Sequence, residues 1–277
     1  MLAWVVRVAL VLWIALGGCY APHLSSGAPC ETSAMCPEGL VCSPASGTCE
    51  LTAVDAHVDV AHDSAPIVHD APADAATMPM LIQSATSYAS SSVSLAVALP
   101  AAPASGHVLV LIGGNPHAGF TSVTGAGATW ARAAISPIYD NVEIWLGVTD
   151  GSSATVTVTD PGSTAPMSLL LTEWSGLAAA NTLDAAAVLD GTTSPANAGT
   201  LVTTNPRDLV VFAISDTAPD TIGVPGPGTW TALPVLDHAV IQEAWYLVAN
   251  TTASFAPAVS ETAHTWDAAL VGLRIAP

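Results

Sequence analysis

Residues 80–277 match themselves when displaced by 100 positions, and this internal repeat constrains the fold more than any other feature of the chain. Leu109-Val110 falls on Leu209-Val210, Thr129-Trp130 on Thr229-Trp230, and Glu143-x-Trp145 on Glu243-x-Trp245, with Val148 on Val248 and Leu170 on Leu270. The chain has only eight tryptophans, so two Trp coincidences at one displacement, with the Trp-to-Trp spacing kept, mark a duplication. What one half forms, the other half forms too.

The repeated unit reads as β-structure. Thr155-Val156-Thr157-Val158-Thr159, bounded by Gly151 and Pro161-Gly162, is the clearest period-two run, and no helical period competes with it. Val108 to Ile112 and Leu209 to Ile214 are continuously apolar, as central strands buried on both faces should be. Short strands separated by Gly, Pro, Asn and Asp clusters fit two forms. Either the halves interleave in one jelly-roll-like β-sandwich, or they make two consecutive immunoglobulin-like ones. The stretch Glu173-Trp174-Ser175-Gly176-Leu177, then Asn181-Thr182-Leu183-Asp184-Ala185, contains no inter-domain spacer and favours a single sandwich. The expected fold class is therefore all-β, with a jelly-roll-like sandwich of two repeats of about 100 residues each over 80–277.

Residues two apart on a strand share a face, which sets Glu143 beside Trp145 and Glu243 beside Trp245. Val142, Ile144, Leu146 and Val148 take the other face, which reads as core, leaving the Glu and Trp for the outer or concave side. An aromatic plane next to a carboxylate is what sugar recognition requires, because C–H groups stack on the ring while hydroxyls donate to the acid. The two pairs are candidate ligand-binding residues, and the alternative is that Trp145 and Trp245 pack between strands. Trp130 and Trp230, beside Gly-rich turns, read as caps over the ends of the sandwich. Glycosidase chemistry would need two acids flanking one bond.

Other catalytic patterns are missing. The sequence has no Gly-x-Ser-x-Gly, no His-Glu-x-x-His, no phosphate-cradling loop and no lysine. His107, His117, His238 and His264 lie in unrelated segments and read as loop or strand-end residues. No catalytic residue, cofactor or resident metal is expected. Asp140-Asn141, Asp150-Gly151, Asp160-Pro161-Gly162 and Asp216 to Asp220 offer oxygen ligands in turns, but Asp and Asn favour turns for backbone reasons alone.

Upstream of the repeat the text changes twice. Residues 51–79 are rich in Ala, Asp, His, Pro and Val, with Asp55, His57, Asp59, His62, Asp63, His69, Asp70 and Asp74 among small residues. Such a segment cannot offset its ordering entropy by burial and reads as a disordered spacer. Residues 30–50 carry Cys30, Cys36, Cys42 and Cys49, an even set too small to bury a core without staples. Four cysteines allow three connectivities, and the short knuckles of a zinc site are absent. At the N-terminus Arg7 precedes an apolar run from Val8 to Leu16, the pattern of a signal peptide over residues 1–18; it is too short to span a bilayer.

The charge balance narrows the partners. Twenty-two acidic residues face four arginines, for a net charge of -18, and removing Arg7 with the signal peptide makes it -19. Nucleic acid is a poor partner for that surface, since its affinity comes from phosphate neutralisation.

Three resemblances complete the reading. Leu16-Gly17-Gly18-Cys19 resembles the bacterial lipobox, which implies acylation of Cys19 and a lipidated tether over 19–29. Tyr20 follows the cysteine where an Asp would resemble an inner-membrane retention signal, which leans towards the outer membrane. Cys36-Pro37-Glu38-Gly39-Leu40-Val41-Cys42, with Cys49 beyond, resembles the small cysteine-rich repeats of myxobacterial lipoproteins, and that resemblance implies pairing of Cys30 with Cys42 and Cys36 with Cys49. The Glu173 to Leu177 stretch, the Gly127-Ala128-Thr129-Trp130 turn and the Val142-Glu143-Ile144-Trp145 strand resemble a poorly characterised family of bacterial and phage β-sandwich domains, whose motifs are structural. Together these imply a non-enzymatic cell-envelope lipoprotein, anchored by its lipid, with an adhesive or structural binding role. The alternatives, in order, are a carbohydrate-binding module and a hydrolase, and the partners are the membrane through the lipid and a glycan or another surface protein.

Overall fold

The computed structural model describes residues 30, 32, 36, 40–43, 47–51, 78–116, 119–136, 141–160, 162, 164–216, 222–234, 243–262 and 264–277. The signal peptide, Cys19, the tether, most of the Asp/His spacer, His117 and His238 lie outside them. The chain divides into Met1–Val68 and His69–Pro277. All nineteen elements among the described residues are strands.

In the first unit β1 (Leu40–Ser43) and β2 (Thr48–Leu51) form an antiparallel hairpin in which Cys42 lies opposite Cys49. Disulfides join Cys30 to Cys42 and Cys36 to Cys49, with Cα atoms 5.8 and 5.6 Å apart. This is the expected pairing. It ties both hairpin strands to the residues before them, supplying the cohesion that so short a segment cannot draw from burial.

The first half of the second unit contains β3 (Met80–Ser92), β4 (Ser94–Ala98), β5 (Val108–Asn115), β6 (Ser122–Gly125), β7 (Ala128–Ile135), β8 (Asn141–Thr149), β9 (Thr155–Thr159) and β10 (Ala165–Ser175). The second half contains β11 (Leu183–Gly191), β12 (Ala196–Asn197), β13 (Leu201–Val202), β14 (Asp208–Asp216), β15 (Thr231–Ala232), β16 (Glu243–Ala249), β17 (Ser254–Phe255), β18 (Ala258–Val259) and β19 (Trp266–Arg274). Five strands of each half form an antiparallel sheet, in the orders β3-β10-β5-β8-β7 and β11-β19-β14-β16-β15. The two orders correspond strand for strand, so the duplication seen in the sequence is a duplication of topology.

The domain is all-β and sandwich-like, and its two halves follow one another in the chain without exchanging strands. Every named strand pairs within its own half, so the halves do not interleave as the short connection suggested. That connection suffices because the two large sheets stack directly. Val110, Ile112, Ile144 and Leu170 of the first meet Leu209, Val211, Ala269 and Val271 of the second in a shared inner core. Outside it, the β4-β9-β6 sheet covers the first large sheet, burying Val156 and Val158 against Leu109, Leu111 and Leu169. Around Phe212, Trp230, Trp245 and Leu270 a third core forms beneath the β12-β18 and β13-β17 pairs. As the continuous apolar runs predicted, β5 and β14 are buried along their whole length, because each has a core on both faces.

β7 packs on β11, while Trp174 of β10 meets Tyr246 of β16 edge-on, with ring centroids 4.9 Å apart. β10 of the first half thus meets β16 of the second while β8 meets β19, the same two strand positions exchanged between the halves.

The repeat is not in phase everywhere. Along β8 and β16 the displacement of 100 keeps the face, and Trp145 and Trp245 both point to an outer core. On the strands between, it inverts. Leu109 faces the outer core but Leu209 the inner, and Leu170 the inner but Leu270 the outer. The registers locate the slip: Trp145 lies opposite Leu111, whereas Trp245 lies opposite Phe212, one residue beyond the repeat position. Residues directly opposite share a face, so β14 and β19 flip together, and Ile112 opposite Leu170 becomes Phe212 opposite Leu270.

Candidate functional site

The structure packs both Glu-x-Trp strands against outer cores, with Glu143 and Trp245 buried and Trp145 and Glu243 half-buried. Glu143 is fully buried; its Oε1 accepts the Phe120 N–H at 2.5 Å, and its Oε2 accepts the Trp145 indole N–H at 2.8 Å. Arg132, opposite Trp145 on the neighbouring strand β7, places its Nε 3.0 Å from Glu143 Oε2 and its guanidinium carbon 4.7 Å from the centre of the Trp145 ring. Burial pushes the Glu143 carboxyl above its ordinary range, opposed by the Phe120 N–H, the Arg132 charge and the Trp145 N–H. Glu143 is thus the polar centre that ties β7, β8 and the segment at Phe120 together.

The second pair differs. Trp245 is 3% exposed and stacks on Phe212 with ring centroids 5.7 Å apart, while Glu243 is half-buried at the start of β16. Trp230 is buried in the same core and donates its indole N–H to Pro227 O at 3.1 Å; Trp130, half-buried, donates to Gly125 O at the same distance. The expectation that Glu143, Trp145, Glu243 and Trp245 line an open outer or concave face is corrected for Glu143 and Trp245, which are buried, while Trp145 and Glu243 are half-buried, Trp145 beneath Arg132. Glu143 and Glu243 lie on the outward sides of different sheets with the inner core between them, so they do not flank one bond.

A second buried carboxylate escaped the sequence reading. Glu173 on β10 accepts the Ala104 N–H at 2.8 Å and lies 2.6 Å from His107 Nδ1 through Oε1, while Oε2 accepts from Gln83 Nε2 at 2.6 Å. This network fastens the segment between β4 and β5 to the sheet and engages His107 structurally. Of the turn acids, Asp150 accepts the Ser152 N–H and Asp160 the Gly162 N–H, each capping its own turn. Asp160 also accepts from Asn115. Among the described residues, the only group with metal-ligand spacing is Cys30, Cys36 and Cys49, whose sulfurs are committed to disulfides and offer no thiolate.

A cleft of about 470 Å³ lies where the halves meet, walled by Thr129, Ala131 and Leu146 of the first and by Thr182, Leu183 and Arg274 of the second. Asn181, at its rim, has φ of 53°, in the left-handed region. Arg274 is held in place by Asp184, whose Oδ1 accepts from Nε at 3.2 Å and from Nη2 at 3.1 Å. The sequence signal for this cluster was faint: Asp184 stands one residue inside β11, and Asp208 opens β14.

Compared with known proteins, the chain matches no family model, no curated protein and no solved structure.

Proposed function

We propose that the chain is an exported lipoprotein of the cell envelope, anchored through a diacylglycerol on Cys19 at the outer membrane. The cysteine module and acidic spacer then serve as a stalk, and the duplicated β domain works by binding or adhesion, without catalysis. The observation that carries this reading is the disulfide pairing. Two cystines point to an oxidising compartment, and the pairing of Cys30, Cys36, Cys42 and Cys49 leaves Cys19 as the one cysteine of five outside them. That cysteine follows Leu16-Gly17-Gly18, the sequence a lipoprotein peptidase would need. Three acyl chains at one N-terminus hold a protein on a membrane where one would not.

The polar groups in the β domain support a non-catalytic role. Glu143, Glu173 and His107 each hold a backbone segment or a neighbouring side chain. Mass spectrometry of the mature N-terminus tests the anchor: an acylated Cys19 is expected, with processing lost in Cys19→Ser. A cleaved N-terminus without lipid would overturn it.

A further inference from the structure

Two carboxyl groups meet where the start of β11, the turn before β14 and the end of β19 converge. Asp184 is saturated with donors. The Thr204 N–H and hydroxyl reach it at 2.5 Å each and the Asn205 N–H at 3.2 Å, in addition to the two Arg274 bonds. Asp208 lies within hydrogen-bond reach of Asp184 and is fully buried, yet it is poorly provided for. Its Oδ1 accepts only from Asn205 Nδ2 at 3.2 Å, and its Oδ2 has no hydrogen-bond partner. A Cβ at Gly272 would lie 3.4 Å from the Thr203 methyl, 3.5 Å from Leu201 and 3.7 Å from Oδ2, so the backbone of β19 approaches Oδ2 closely at this point. The charged groups facing the pair are few. Arg274 approaches from β19 and is already bound to Asp184, and Arg207, next in chain, directs its Nη2 at Met78 Sδ.

We propose that Asp184 and Asp208 are a proton-sharing pair, a latch that holds the turn at 203–208 to the ends of β11 and β19 in acid and weakens when Asp208 ionises. The balance is simple. One proton between the two acids gives a single negative charge that Arg274 neutralises. Removing it sets two carboxylates against one guanidinium and leaves a charged, buried oxygen without a hydrogen-bond donor.

The protonation preferences agree in direction. Burial pushes Asp208 up from 3.8 to about 6, with the neighbouring Asp184 adding to the rise. Asp184 is also raised by burial, but its donors outweigh this and hold it at about 2. The folded chain therefore binds the Asp208 proton more tightly than the unfolded chain. This contribution to stability is complete below 3.8 and is lost as pH climbs through about 6. Asp184 has the opposite sign, stabilising above 3.8 and failing as pH falls towards 2. The pair is thus at its best in mild acid, and Arg274 links it to the wall of the cleft.

Urea unfolding of the mature full-length chain, followed by tryptophan fluorescence on both sides of this range, tests the latch. Because the folded chain holds the Asp208 proton more tightly than the unfolded one, unfolding should become at least about tenfold more favourable on the alkaline side. Asp208→Asn, which keeps the shape of the neutral acid, should reduce that dependence, leaving the part of the same sign that comes from buried Glu143. A variant with the same pH dependence as the parent overturns the proposal. Should the variant not fold, an NMR titration of the Asp208 carboxyl in the parent decides: a midpoint near 6 supports the pair, and one at or below the ordinary 3.8 refutes it.

Discussion

Leu170 and Leu270, superimposed by the sequence repeat, point in opposite directions: Leu170 packs into the core shared by the two large sheets and Leu270 into the outer core of the second half. The duplication has therefore drifted by one residue on its central strands while keeping its topology. Both orientations are tolerated because each of these strands has a core on either side. A half-exposed sheet would have been turned inside out by the same slip.

Glu143 is predicted to be a structural acid. Glu143→Ala would leave the Phe120 N–H, the Trp145 indole and the Arg132 guanidinium without their common acceptor, and breaking a buried pair of this kind costs about 3–5 kcal/mol. Chemical denaturation should show the loss, and a change below about 1 kcal/mol would contradict the geometry.

Trp245 should matter for packing. Trp245→Ala removes the ring stacked on Phe212 and should destabilise the domain by roughly 3–5 kcal/mol. In the unaltered protein a panel of glycans should leave tryptophan fluorescence unchanged. A saturable response that Trp145→Ala abolishes would restore the carbohydrate-binding reading.

Gly113 is predicted to be intolerant of any side chain. A Cβ there would lie 2.1 Å from Cε2 of the buried Phe120, which crosses the strand at this point. Overpacking on this scale costs about 1–3 kcal/mol. Gly113→Ala should lower the melting temperature, and a variant as stable as the parent would show that Phe120 has room to shift.

Reduction should act on one unit alone. Both disulfides lie in Met1–Val68, so dithiothreitol should make the cysteine module protease-sensitive. The urea midpoint of the β domain, whose six tryptophans report on it, should not move. A lowered midpoint would show that the two units depend on each other.

Much of the architecture was legible because its signals are local. Period-two alternation at Thr155 to Thr159 became β9 with Val156 and Val158 inward, and the apolar runs at Val108 and Leu209 became the central strands. The candidate site was harder to read. Face sharing correctly set Glu143 beside Trp145, but strand periodicity carries no information about what lies against a face. Here Glu143 is buried and Arg132 lies against the half-buried Trp145 ring.

The sequence by itself determined that residues 80–277 form a duplicated all-β domain and that four cysteines form a module of their own, since alternation, repetition and even cysteine number are properties of the chain read in order. It took the assembled sheets to show that the halves stack rather than interleave, that Trp230 and Trp245 are buried in a core, and that Asp184, Asp208 and Arg274 come together. Those outcomes depend on which surfaces come together, and residues on separate strands acquire a common environment only when the sheet has formed around them.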